Sequence, residues 1–171
     1  RSYRQTKRKV GTMQLSKHFT LEEFEKSQTA TRKGIKNKAG SGEIKNLGDL
    51  CYEILEPVRV KFDKPVTITS GYRSPELSEA IGSKSTSQHC SGNAVDMEVL
   101  GCSNLEVALW IQNHCDFDQL ILEYYTGEPN SGWIHVSYKD GSNRKQVLTF
   151  DGKSYSNGLP DAKWSGGKLT N

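Results

Sequence analysis

Apolar and polar positions along this chain follow two periods, and the change from one to the other marks where helices give way to strands. From Glu43 onward, Ile44, Leu47, Cys51, Ile54, Leu55, Val58 and Phe62 recur at intervals of three and four. One stripe of a helix therefore faces a core. Pro57 lacks a backbone donor and crowds the turn before it, so the spacing predicts a helix over 43–56, kinked there and resuming to 62. Asn104 to Cys115 carries a second helical stripe, with Leu105, Ala108, Leu109, Trp110 and Ile111. Two shorter helices announce themselves by their starts. Thr20-Leu21-Glu22-Glu23 is a capping box opening a helix through about Ser27, and Pro75 opens another through about Ile81.

The period of two appears in Val66–Thr69, Ala94–Val99, Gln119–Tyr125, Trp133–Tyr138 and Gln146–Phe150, all predicted as strands. Within 94–99, Ala94, Asp96 and Glu98 share one face, and Val95, Met97 and Val99 the other. Residues 28–42, rich in Lys, Gly, Asn, Ser and Thr, are expected as a long loop. Helices cluster early and strands late, with one crossover helix between them. The expected fold is α+β, a mostly antiparallel sheet with helices on one side. Residues 1–14 are expected as an irregular basic arm and 15–150 as the folded domain. Residues 151–171, anchored only by Tyr155, Leu159 and Trp164, are expected as a loosely docked or disordered tail.

Composition narrows this picture in three places. A chain of 171 residues with mean hydropathy −0.67 supports one domain with a real core. No apolar run approaches a membrane span, and the basic N-terminus lacks the apolar core of a signal peptide. Any export would use another route or a signal outside this sequence. The net charge of +3 is uneven, because six basic residues and no acidic ones fall in the first 18 positions, leaving the remainder near −3. A basic arm on an acidic body is not the basic, aromatic-studded face of a nucleic-acid binder. Neither nucleic acid nor membrane is expected as a partner, and a monomer is expected. The four cysteines form no Cys-x-x-Cys pair, so they are expected as reduced, core-type thiols rather than metal ligands or a disulfide framework.

The candidate chemistry lies in Ser87-Gln88-His89-Cys90-Ser91-Gly92-Asn93-Ala94-Val95-Asp96 and in Trp133-Ile134-His135. His89, Asp96 and His135 supply two imidazoles and a carboxylate, a donor set suited to one catalytic Zn2+ with a position left open. Gly92 permits the turn that lets the first two converge. For a base, Glu123 and Glu128 are the carboxylates just before His135. If strands 119–125 and 133–138 form a hairpin centred near Pro129, Glu123 stands directly opposite His135 and shares its face, whereas Glu128 sits at the loop tip. Arg73 follows a strand end, where its guanidinium can grip a substrate carboxylate or serve a structural ion pair. Ser87 and Gln88 can orient either the substrate or the loop. His18 and His114 have no ligand-like context.

Together these motifs resemble the D-Ala-D-Ala carboxypeptidase family of zinc peptidases, with van-type dipeptidases and phage L-Ala–D-Glu endolysins among its members and a hedgehog-like fold. The matching pieces are Ser70-Gly71-Tyr72-Arg73-Ser74, Ser87 and His89 through Gly92, Ala94 and Asp96, then Trp133-Ile134-His135, over roughly residues 15–150. His18-Phe19-Thr20-Leu21-Glu22-Glu23-Phe24 is similar to the opening of a phage and prophage subgroup. The resemblance implies that His89, Asp96 and His135 bind zinc, that Arg73 and Ser87 contact substrate, and that the substrate is a peptidoglycan stem peptide. Many members carry the catalytic Asp or Glu three residues before the last histidine, where this chain has Gly132. Glu123 resembles the carboxylate that ends the preceding strand in the subgroup. Two other functions stay open at this level: a non-catalytic zinc-bearing binding domain, and a virion component that carries the peptidase.

Overall fold

The computed structural model describes residues 12–165 and 168–170. The predicted arm over residues 1–14 therefore lies mostly outside the described residues. At its end Gln14 pairs with Thr20, and Thr20 closes the predicted capping box with Glu23 to start α1, Leu21–Glu25. The expected loop over 28–42 contains a helix, α2, Gln28–Lys33. Ser27 caps its start by accepting from the Ala30 N–H, and Gly34 closes it in the left-handed conformation. Both caps are present in the sequence, but only Ala30 is buried, so the helix has no apolar period to announce it.

The long apolar stripe forms α3, Ser41–Leu50, and α4, Glu56–Phe62, joined without a break by a π-helical turn, Cys51–Leu55. The predicted kink at Pro57 is absorbed by this wider turn, in which the Glu56 N–H reaches the Cys51 carbonyl. Widening the turn relieves the clash a proline ring makes with the carbonyl four residues back. Helix α5, Pro75–Ala80, starts at Pro75 behind a Ser74 cap, and α6 spans Asn104–His114 behind a Ser103 cap.

The strands are β1 Val66–Ser70, β2 Ala94–Val99, β3 Gln119–Glu123, β4 Trp133–Ser137, β5 Gln146–Phe150 and β6 Tyr155–Asn157, in the order β1-β2-β4-β3-β5-β6. Only β3 and β5 pair in parallel; every other neighbour is antiparallel. The expected α+β class with a mostly antiparallel sheet is observed. Strand β6 lies in the segment expected to be loosely docked or disordered, where Leu159, Ala162 and Leu169 also pack against Leu105, Leu122 and Tyr125. Two three-residue strands, β7 Lys163–Ser165 and β8 Lys168–Thr170, pair with each other apart from the main sheet.

The core lies between one sheet face and the helices. Val95, Met97, Leu120, Ile134 and Val136 meet Leu47, Leu50, Ile54, Leu55 and Val58 from α3–α4, and Val107, Ala108 and Ile111 from α6. All four cysteines are free; Cys51 and Cys115 are buried, and burial pushes their thiols up to about 12 and about 11, which keeps them inert. No described helix is long and apolar enough to cross a membrane.

Candidate metal centre

The site lies on the sheet face turned away from this core. Asp96 on β2 is the ladder partner of His135 on β4, so alternation aims both side chains outward while Val95 and Val136 point into the core. His89 arrives from the turn preceding β2. That turn is held by the Cys90 N–H on the Ser87 carbonyl, the Asn93 N–H on the Gln88 carbonyl and the Arg73 N–H on the His89 carbonyl. Gly92 adopts φ +74° there, and a Cβ would lie 2.5 Å from the Glu43 carbonyl oxygen. Both the turn and the close approach of α3 exclude any other residue.

The three side chains predicted as ligands meet. Their candidate ligand atoms all lie within 4.8 Å of one another. Asp96 Oδ1 is 3.1 Å from His135 Nδ1 and 3.4 Å from His89 Nε2. Tetrahedral zinc with bonds of about 2.0–2.1 Å sets its ligand atoms about 3.3 Å apart. The chemistry of the donors fits as well. His89 Nδ1 is 2.8 Å from the Gly71 carbonyl, which can only accept, so Nδ1 carries the proton and Nε2 turns its lone pair toward Asp96. Burial, opposed by Asp96, lowers the His89 pKa and favours the neutral ring. A neutral ring nitrogen and a carboxylate oxygen facing each other repel unless a cation lies between them. Burial also works against ionisation of Asp96, but the hydrogen bond from His135 outweighs it and holds the carboxyl below the usual carboxylate range.

Around this trio, the other predicted residues take varied positions. Arg73 brings Nη2 to 3.4 Å from Asp96 Oδ2, and its Nε donates to Ser70 Oγ at 3.0 Å. A break in register between Ile68 and Ser70 lets Ser70 stand opposite Asp96. Arg73 also lines a groove of about 400 Å3 with Lys26, Gln28, Ser70 and Tyr72. Ser87 Oγ accepts from the His89 N–H at 3.3 Å. Gln88, left open between substrate and loop, donates to buried Asp118 at 2.8 Å. Asp118 also accepts from Arg144 Nε, Nη2 and backbone N–H. Those hydrogen bonds overcome burial and lower its pKa to about 2. Gln88 thus ties the His89 turn to the start of β3.

The predicted hairpin register needs correction. Glu123 pairs with Trp133, and the partner of His135 is Ile121. The ladder is displaced by two residues, an even number, so Glu123 keeps the His135 face and stands diagonal to it rather than opposite. Glu123 lies close enough to His135 and Asp96 for their charges to act on it, and burial, with Asp96, raises its pKa against the pull of His135. No hydrogen bond among the described residues occupies its carboxylate. Glu128 is exposed in the loop, as expected. At Gly132 φ is +68°, and a Cβ would lie 1.7 Å from the Glu123 carbonyl oxygen. A carboxylate at 132 is sterically impossible in this hairpin, and Glu123 is the one that borders the trio.

Some supporting groups carried no sequence signal. The Gly71 carbonyl, which sets the His89 tautomer, is a main-chain atom. Buried Asn104 donates to the carbonyls of Asn130 and Gly132, holding the loop that leads into β4. His18 and His114 stay outside the site: His18 Nδ1 contacts Glu56 at 2.6 Å, and His114 stacks on Trp110.

The family profile described as peptidase M15 matches residues 17–137, from the segment before α1 to the end of β4. The chain belongs to the peptidase M15 family. The match includes His89, Asp96, His135 and Glu123. Members of this family are typically zinc-dependent, and in this M15 peptidase His89, Asp96 and His135 form a possible site for the ion. Comparison with curated proteins returns no match.

Proposed function

We propose that this M15 peptidase hydrolyses peptide bonds in the stem peptides of bacterial peptidoglycan, using one Zn2+ held by His89, Asp96 and His135. The observation that supports it is the convergence of three ligand atoms within 4.8 Å on the same sheet face as Glu123, a half-buried carboxylate with no competing partner among the described residues. When bound, zinc supplies a Lewis acid that polarises a peptide carbonyl and makes a water more acidic.

The protein's own groups do the rest. The Gly71 carbonyl holds His89 with Nε2 presented, and Arg73 steadies the second oxygen of Asp96. Glu123 takes a proton from the attacking water and returns it to the leaving amine, so the carbonyl gains the hydroxyl and the C–N bond breaks. Its raised pKa makes it a stronger base than an ordinary surface carboxylate. Arg73, which lines its groove, is the group that would meet a substrate carboxylate, with Ser87 shaping the turn beside it. The substrate class follows from the motif resemblance, and the bond is of the D,D-carboxypeptidase or L-Ala–D-Glu endopeptidase type.

The experiment is digestion of purified peptidoglycan by the zinc-loaded protein, with new amino groups quantified and fragments identified by mass spectrometry. Release of stem-peptide fragments is expected. Zinc uptake with no new amino groups would instead point to a non-catalytic binding domain, the reading that the glycine at 132 leaves open. Co-purification with virus particles tests whether the peptidase travels as a virion component.

A further inference from the structure

An aromatic shelf runs outward from Glu123 along the site face. Trp133 is Glu123's partner across the β3–β4 ladder, and Phe150 faces Tyr155 across β5–β6. Leu148 on β5 pairs with Ile121, the partner of His135, so Phe150, two residues on, shares the site face. Tyr124 should point to the core by alternation. It does not, because its backbone is left-handed at φ 52°, a conformation that costs a non-glycine residue about 1–2 kcal/mol. The ring consequently stacks on Trp133 at 4.9 Å and meets the Phe150 edge at 5.1 Å, while Phe150 stacks on Tyr155 at 4.5 Å. Tyr124 and Tyr155 remain 48% and 58% exposed. Their hydroxyls have no hydrogen-bond partner among the described residues.

We infer that this shelf binds a sugar ring of the glycan strand that carries the stem peptide. The inference rests on the peptidoglycan reading. A pyranose presents apolar C–H faces that pack on flat rings, and hydroxyl and acetamido groups that need polar partners such as the two free phenols. A purely apolar partner would leave those phenols unsatisfied. The shelf is continuous with the site through Trp133 and Glu123, and in the polymer the sugar is covalently joined to the N-terminal end of the stem. Phe150 and Tyr155 lie beyond the residues matched by the family profile. Sugar on the shelf brings the N-terminal part of the stem to Glu123 and the metal ligands, which favours a cut near the glycan over one at the terminal D-alanine.

Two measurements on the zinc-loaded full chain test this. In the first, a tetramer of N-acetylglucosamine is titrated by NMR into the wild type, Tyr155→Ala, and Tyr155→Phe. Saturable binding is expected, weakened about tenfold in Tyr155→Ala and largely kept in Tyr155→Phe, with unchanged circular dichroism. No binding to the wild type, or equal binding to all three, overturns the shelf. Dimerisation through the aromatic face, seen as a wild-type dimer that Tyr155→Ala separates, overturns it as well. The second measurement compares kcat/KM on a stem peptide with and without its disaccharide. About a tenfold preference for the glycosylated form is expected, and equal rates overturn the shelf. Failure to cut either peptide while the sugar still binds supports the shelf and sinks the peptidase reading.

Discussion

Strands β2, β3 and β4 carry two faces that differ in every respect but their backbone. On one, Val95, Met97, Leu120, Leu122, Ile134 and Val136 are fully buried against helices or the neighbouring apolar cluster. On the other, one residue along in each strand, stand Asp96, His135 and Glu123, partly exposed and ionisable. The buried face cannot slip by one residue without turning its whole apolar set into water. The core therefore sets the register that aims Asp96 and His135 at each other. The site face contributes little packing of its own and sets the His89 Nε2 lone pair against the Asp96 carboxylate, a repulsion that a bound cation relieves.

Substitutions on the two faces should separate chemistry from stability. The largest effect is expected from Asp96→Ala or His89→Ala, which should abolish zinc retention and bring hydrolysis to background. Metal analysis after dialysis and a peptide-release assay read this, and a zinc-retaining, active Asp96→Ala would disprove the ligand set. Glu123→Gln should keep zinc and fold yet lower kcat by about 10²–10⁴-fold, the span of general acid–base catalysis. Wild-type turnover in that variant would remove Glu123 from the reaction.

On the opposite face, Ile134→Ala should cost about 2–5 kcal/mol of stability through lost burial and a cavity, seen in denaturant melts, while the folded fraction still binds zinc. If that variant instead lost metal without losing stability, the division between the faces would be wrong.

A smaller effect should come from Asp118, which fastens the His89 turn through Gln88. Its folded pKa of about 2 lies below the ordinary 3.8. Its ionised form therefore stabilises the fold above about pH 4, and that contribution, about 2 kcal/mol, is lost as pH falls toward 2. Asp118→Asn should flatten this part of the stability–pH curve, and an unchanged curve would contradict it. Least of all, Glu128→Gln should leave the rate within about twofold, since a solvated loop carboxylate touches neither the trio nor Glu123. A large loss there would exchange the roles of the two glutamates.

Much of this arrangement was legible without coordinates. The apolar period marked α3, α4 and α6, the alternation in 94–99 put Asp96 opposite the core, and the ten-residue motif with Trp133-Ile134-His135 named the three side chains that converge. These features are local: a period, a cap or a motif is written in neighbouring residues. The missed features depend on distant ones. Helix α2 has caps but hardly any buried face, and the two-residue displacement of the hairpin is set by the packing of Gly132 on Glu123 and by Asn104 holding the loop.

Partner choice, likewise, was decided in three dimensions. Gln88 could have served the substrate or the loop, and it is claimed by Asp118, thirty residues away in the chain. Tyr124, which alternation would bury, is turned outward by a left-handed backbone that no propensity foretells. By itself the sequence determined which residue types could make a zinc site and which strand faces would carry them. The tertiary structure decided the His89 tautomer, the diagonal place of Glu123 and the aromatic shelf beside it, because each depends on main-chain atoms and register that only the folded chain brings together.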